Sequence, residues 1–285
     1  MPSFPPLMRR LLINADDFGA NPQRTHGIFQ CVEFGVVRSV SVLPNMADSD
    51  AAAKHAKERK VSAGLHLNLT EEYPLSKPED LPTLVEMNGL FHDRTKLHQA
   101  LEEGKVEKAS IEREVRAQVE WMFDNYGAPT HVDSHHHVHV YPLVAEALIP
   151  ILERYGIRFV RIPLEEPLPP FGYEVPAARL ERTRDLNVKA AAARDLYAAS
   201  GILFPDHFRG ATLVGNFSLE NLRHVIAKLP EGTTELMVHP GSPIAYGTPF
   251  DLDPQRQTEL RALLDESIPA LLMEKKVELV SYEDL

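Results

Sequence analysis

The 285-residue chain has a single cysteine, Cys31, so it builds no internal disulfide, all-cysteine zinc site or iron–sulfur cluster. It also lacks an excess of positive charge. Thirty Lys and Arg stand against 41 Asp and Glu, a net of −11 with histidine neutral. This argues against a nucleic-acid or anionic-membrane partner, because binding phosphates calls for a basic footprint. No stretch approaches about 20 apolar residues, the length that inserts across a bilayer. The opening MPSFPPLMRRLLINADDFG has no continuous apolar region and no small-residue cleavage site, so it does not read as a signal peptide. The expectation is a soluble cytoplasmic protein, in which the sequons Asn68-Leu69-Thr70 and Asn216-Phe217-Ser218 are chance matches. With 44% hydrophobic and 25% charged residues, the composition excludes wholesale disorder. Histidine is the residue in unusual supply: 13 in all, five of them between His131 and His139.

Strand-like and helix-like segments alternate along the chain. Arg10 to Asn14, Val36 to Leu43, Val61 to Leu69, the stretch entered at Thr130 to Val132, Ile157 to Ile162, Thr234 to Val238 and Val277 to Val280 read as strands. Between them, Asn21-Pro22 reads as an N-cap followed by proline at the first helical position, with Gly35 ending that helix. Ala47 to Lys60, Lys108 to Tyr126, Pro142 to Tyr155, Ala177 to Ser200, Leu219 to Leu229 and Pro254 to Met273 read as further helices. Residues 71–107 have no clear period and read as an insertion with short elements; Leu164 to Val175 reads as a proline-rich loop. This alternation predicts βα units, a parallel sheet and one α/β domain over residues 1–285. A barrel is favoured over an open dinucleotide-binding sheet. No G-x-G-x-x-G follows the first strand, and no G-x-x-x-x-G-K-[ST] loop is present.

In a βα barrel the chemistry sits where strands end and loops begin. Four polar islands fall there: Asp16-Asp17, His66 within AGLHLNL, Asp133-Ser134-His135-His136-His137-Val138-His139, and His239-Pro240-Gly241. Singly, each has a plain reading. Asp16-Asp17 can cap a helix, His66 can be a hydrogen-bonded core histidine, the histidine run can be solvated, and His239 can satisfy a strand end. Together their positions agree. Two adjacent carboxylates point in different directions, so one can bind a cation while the other accepts a proton from water. His66 and Asn68 share one strand face. In the histidine run, His135 and His139 can point together whether the segment is extended or helical. Two imidazoles and a carboxylate form a common ligand set for a catalytic divalent metal, with Asp133 available to orient a ligating histidine. His239 can act as a general acid. Arg161 can orient a carboxylate or make a surface salt bridge.

At these residues the sequence resembles the YdjC-like family of carbohydrate deacetylases, which includes chitooligosaccharide and hopanoid-associated enzymes. The matching strings are NADDFG (14–19), GLHLNLT (64–70), PTHVDSHHHVH (129–139) and MVHPG (237–241), in family order over about Leu11 to Leu285. Phe91-His92 and the 164–178 loop match no family pattern. The resemblance implies a distorted, TIM-like (β/α) barrel, often dimeric, with a divalent metal that is usually magnesium. Carried over by position, Asp17, His66 and His135 are metal ligands, Asp16 the general base and His239 the acid. Beside these carried-over roles, Asp133, His139 and Arg161 are read as residues that bind substrate or brace the ligands. The imidazole-rich set suits zinc by softness.

The implied reaction is metal-assisted removal of the N-acetyl group from an acetamido sugar, chitooligosaccharide-like or lipid-linked. Two alternatives stand beside it. A phosphoester hydrolase on a similar barrel would need cationic groups beside the metal, for which Arg161 is the candidate in the sequence. A non-catalytic carbohydrate-binding protein would have no use for both Asp16 and Asp17.

Overall fold

The computed structural model describes residues 8–165 and 174–285. Its elements, in chain order, are β1 (Arg9–Phe18), α1 (Pro22–Phe34), β2 (Ser39–Val42), α2 (Ser49–Arg59), β3 (Ser62–Leu67), α3 (Arg94–Glu102), α4 (Lys108–Asn125), β4 (Val132–Ser134), α5 (Pro142–Tyr155), α6 (Ala177–Ala199), β5 (His207–Arg209), α7 (Leu219–Ala227), β6 (Gly232–Val238), α8 (Gln255–Leu263), α9 (Ser267–Glu274) and β7 (Val277–Val280). The strands run in the order β4-β3-β2-β1-β6-β5, and every pairing is parallel. Parallel bridges Val132↔Val160 and Phe159↔Leu203 carry the curve beyond β4. The sheet is a half-barrel surrounded by helices, the architecture that strand–helix alternation predicts.

β1 is the hub. Along one edge, Arg9–Ala15 pairs with β6. The other edge is divided: Arg9–Leu12 pairs with β7, and Asn14–Phe18 with β2. Leu11, Ile13 and Ala15 pack into the main apolar core, while Leu12 joins Val280 and Tyr282 in a separate cluster. Alternate residues on a strand face opposite ways. The face bearing Leu12 continues through Asn14 and Asp16, and across the sheet through Ser41, His66, Asp133 and Glu235, all buried. The barrel interior is therefore polar, and it must pair its charges internally. Gly64 makes room for this filling: a Cβ there would lie 2.3 Å from the His131 ring. That ring stacks on Tyr282 at 3.6 Å.

Local rules account for several boundaries. Asn21 caps α1 by accepting from Arg24 N at 2.9 Å, with Pro22 in the first turn. α5 closes on Gly156 at φ +70°.

The structure corrects three expectations. Pro254 to Met273 forms two helices: Asp265 Oδ1 accepts from Ser267 N at 3.0 Å and starts a new turn, and Pro269 has no N–H with which to continue the old one. Ile157 to Ile162 makes only isolated bridges, because its backbone bonds reach a single residue on each side, Val132 and Leu203. β4, Val132–Ser134, is the strand whose entry was expected at Thr130 to Val132. β5 is too short and too polar at His207 and Arg209 to register as a strand in the sequence. The 71–107 region holds α3, a 3-10 turn at Pro78–Asp80 and a Val85↔Phe91 bridge. Most of the expected 164–175 loop lies outside the described residues.

Candidate active site

β1 does not stop at its apolar run; it continues through both aspartates. Between Ala15 and Phe18 the register with β2 slips, and Asp17 adopts φ +64°. Such a bulge re-aims side chains. It separates the two carboxylates: Asp16 stays on the interior face, and Asp17 turns toward the loops.

Asp16 meets Arg161 in a bidentate pair, with Nη1 to Oδ2 at 2.6 Å and Nη2 to Oδ1 at 2.7 Å. Asn14 Nδ2 donates to the same Oδ1 at 2.9 Å. Arg161 also reaches Asp133 Oδ2 at 2.8 Å and Glu235 Oε1 at 2.8 Å. Its side chain is 0% exposed, which removes the surface-bridge reading. One guanidinium thus serves three buried carboxylates. Burial raises the Asp16 carboxyl, and Asp133 adds to this, outweighing Arg161. Burial pushes Glu235 up to about 7 despite Arg161, and Glu235 also accepts from Tyr282 Oη at 2.8 Å.

Asp17 Oδ1 lies 3.0 Å from His135 Nδ1 and 3.4 Å from His66 Nε2. Its Oδ2 lies 3.4 Å from Arg24 Nη1. Burial raises this carboxyl, but His135, His66 and Arg24 outweigh it and hold it well below the usual range. His66 turns its other nitrogen to Asp133, Nδ1 to Oδ1 at 2.7 Å. His135 turns its Nε2 toward Glu71 at 3.4 Å. Burial lowers both imidazoles, yet Asp133 and Asp16 bring His66 up to about 10, and Asp17 and Glu71 bring His135 up to about 9.

The histidine run is neither extended nor α-helical. It forms a 3-10 turn, His135–Val140, with His136 at φ +55° and His137 at φ +57°. These left-handed residues cost about 1 kcal/mol or more each. They send His135 toward Asp17 and leave His139 facing away, so the expectation that those two rings point together fails. His139 is buried, bonded through Nδ1 to Ser134 Oγ and through Nε2 to the Arg161 carbonyl at 3.0 Å. His136 Nδ1 meets Thr70 Oγ1 at 2.9 Å.

His239 follows β6. Its Nε2 is 3.9 Å from Asp16 Oδ2, and its ring meets Phe250 edge-on at 5.4 Å. Burial, with Arg256 and Arg24 opposing Asp17, holds this imidazole well below its ordinary value. Asp16, Asp17, His66, His135 and His239 line one cavity of about 770 Å³; Asp133 and Arg161 lie behind it.

Asp17, His66 and His135 offer one carboxylate oxygen and two imidazole nitrogens within 4.8 Å of one another. Asp17 Oδ1 is buried without a hydrogen-bond partner. The His66–Asp133 pair is the outer bond that usually fixes a ligating imidazole. The residues fit a divalent cation with open positions.

Arg24, Glu71 and Glu235 escaped the sequence reading. Glu235 had a signal: a lone acid inside an apolar strand is a buried charge in need of a partner. Glu71 sits three residues after Asn68, whose amide organises its loop: Asn68 Nδ2 donates to the Glu71 carbonyl at 2.9 Å.

Fold and site together define a hydrolase built on a β/α half-barrel. More particularly, the chain belongs to the YdjC-like protein family, which matches residues 10–274. A carbohydrate deacetylase of Danio rerio is 31% identical over 96% of this chain and 98% of its own length. The Geobacillus stearothermophilus carbohydrate deacetylase is 32% identical over 97% of this chain and 98% of its own. A crystal structure of an Enterococcus faecalis protein, 24% identical, shares the fold with a TM-score of 0.76 over 97% of this chain and 98% of that one. Among the described residues no helix is long and apolar enough to cross a membrane.

Proposed function

We propose that this protein is a metal-dependent N-deacetylase of acetamido sugars. The observation that carries the reading is the parting of two adjacent aspartates. Asp17 joins His66 and His135 in a donor set for a divalent cation, while Asp16, clamped by Arg161, is left 3.9 Å from His239. What a cation on Asp17, His66 and His135 supplies is polarisation of the acetamide carbonyl and a lowered pKa for water.

The remaining steps belong to the chain. Asp16 accepts a proton from the attacking water as the oxygen–carbon bond forms. Arg161 fixes both of its oxygens, so the carboxylate keeps one orientation. His239 is neutral at rest, because burial and two arginines oppose its charge. It therefore acts by relaying the proton that Asp16 collects to the departing nitrogen, rather than as a standing imidazolium. The C–N bond breaks, releasing acetate and the sugar amine.

The test is acetate release from a panel of N-acetylated sugars, N,N′-diacetylchitobiose included. The chelated protein is compared with protein given magnesium, zinc, cobalt or manganese. Metal-dependent acetate from one or more sugars is expected, and the same series names the working metal. No acetate from any sugar, with metal binding demonstrated by calorimetry, overturns the reading in favour of another amide or ester, or of a binding protein.

A further inference from the structure

His135 turns each of its ring nitrogens to a carboxylate, and the reaction uses only one of them. Nδ1 lies 3.0 Å from Asp17 Oδ1, inside the donor set already described. Nε2 faces Glu71 Oε2 at 3.4 Å and, among the described residues, is buried without a hydrogen bond. His136 stands at the same carboxylate. Its Nε2 is 3.9 Å from Glu71 Oε1, and its ring centroid is 4.0 Å from that of His135. Glu71, His135 and His136 thus offer a second set of ligand atoms within 4.8 Å of one another, and all three residues line the cavity.

Two features point this set at a cation. The first is the backbone. Neighbouring side chains on an extended strand point apart. Here a left-handed residue, His136 at φ +55°, brings two successive rings to one carboxylate, in a conformation that costs about 1 kcal/mol or more. The second is the proton inventory. Thr70 Oγ1 has one proton, and it donates that proton to Asn68 Oδ1 at 3.2 Å. Toward His136 Nδ1, 2.9 Å away, the hydroxyl therefore accepts. A neutral His136 ring then carries its proton on Nδ1 and its lone pair on Nε2. That lone pair and the Glu71 carboxylate face each other as two acceptors with no proton between them, an arrangement that a positive ion resolves. Fixing the far nitrogen of an imidazole is also how a ligating histidine is usually oriented. Two imidazole nitrogens and one carboxylate oxygen suit zinc or cobalt, whereas magnesium prefers oxygen.

We propose that Glu71, His135 and His136 form a second cation site, taken by zinc or cobalt and not by magnesium, whose filling slows turnover. The inhibitory half of this statement rests on the deacetylase reading; the site itself does not. With one ion on Asp17, His66 and His135, Glu71 is the acceptor that faces the outer nitrogen of His135. With a second ion Glu71 becomes a ligand, and His135 bridges the two ions as imidazolate, its Nε2 proton passing to solvent as the nitrogen–metal bond forms. A site that displaces a proton and shares a ligand binds more weakly than its neighbour, so it fills only in excess metal. It then occupies space in the cavity that the sugar enters.

Metal content is measured after dialysis of the full-length chain against graded zinc and, separately, magnesium. Two zinc ions per chain are expected, the second bound more weakly, against one magnesium. His136→Asn keeps a residue type that accepts left-handed backbone, and it should retain the tight zinc and lose the weak one. Thr70→Val keeps the shape of the side chain and removes the hydroxyl that fixes His136; it should weaken the second zinc by about tenfold and leave the first unchanged. One zinc per chain in the unaltered protein overturns the proposal, as does an undiminished second zinc in both variants. In the activity arm, acetate release rises with the first zinc and falls as the second binds, magnesium gives no falling phase, and His136→Asn loses it. A falling phase that persists in His136→Asn overturns the inhibitory role. A second zinc that is lost in His136→Asn, with no acetate from any sugar, keeps the cation site and sinks the deacetylase reading.

Discussion

Replacing Arg161 with methionine removes the one cation shared by Asp16, Asp133 and Glu235, all of them buried. Asp133 keeps His66 at 2.7 Å, and Glu235, already near 7, gives up its charge cheaply. Asp16 is the carboxylate left with no cation in direct contact, His66 standing 4.0 Å away. Removing one partner of a buried ion pair and leaving the other costs about 4 kcal/mol. With an unfolding entropy of about 2.1 cal/mol/K per residue over 285 residues, that lowers Tm by about 7 °C. The loss depends on pH in a definite direction. The variant raises the folded-state pKa of Asp16, already above its ordinary value, further still, so the deficit grows as pH rises from 5 to 7. Thermal melts of both proteins at the two pH values check this. Acetate release falls at least a hundredfold, because a protonated Asp16 accepts nothing. A variant with an unchanged Tm, or a deficit equal at both pH values, would refute the pairing argument.

Asp16→Asn should cut acetate release by about 10² to 10⁴ while calorimetric metal affinity stays within a few-fold; substantial turnover in this variant ends the assignment of Asp16 as base. Glu71→Gln should weaken metal affinity by about tenfold or more, because Glu71 faces the far nitrogen of His135 as Asp133 faces that of His66. Unaltered affinity removes Glu71 from the site. Burial holds His131 to about 3, so as pH falls below 6.5 the unfolded chain takes up a proton first, and stability present above that pH drains by about 2 kcal/mol at pH 5. His131→Asn should flatten the denaturant-measured stability between pH 6.5 and 5 by that amount, and identical slopes would contradict the neutral buried ring.

Much of this molecule was readable before its structure. β7 occupies the residues that β-branched patterning marked, and α5 runs from the proline to the glycine that bracket it. The polar islands lie at the ends of β1, β3, β4 and β6 because those strands are parallel and deliver their C-terminal ends to one rim. What patterning could not supply was the course of the chain inside an island. Periodicity offers extended or helical choices, and His136 and His137 take neither. The interior face was also hidden, since a charge such as Glu235 declares its partner only when Arg161, 74 positions away, is brought beside it. Arg161 itself sits in a segment with too few backbone pairings to hold as a strand.

The divided edge of β1 bears on how the protein comes into being. Asp16 and Asp17 lie about 260 positions before Val277, yet Arg9 needs Val277, and Leu12 needs Val280, before their strand has both neighbours. Pairings so distant along the chain slow assembly. They also link the base to the distant β7 segment, because Tyr282 bonds Glu235, Glu235 bonds Arg161, and Arg161 holds Asp16. A chain cut before residue 277 keeps Asp17, His66 and His135 yet strips Tyr282 from Glu235, the carboxylate that shares Arg161 with Asp16.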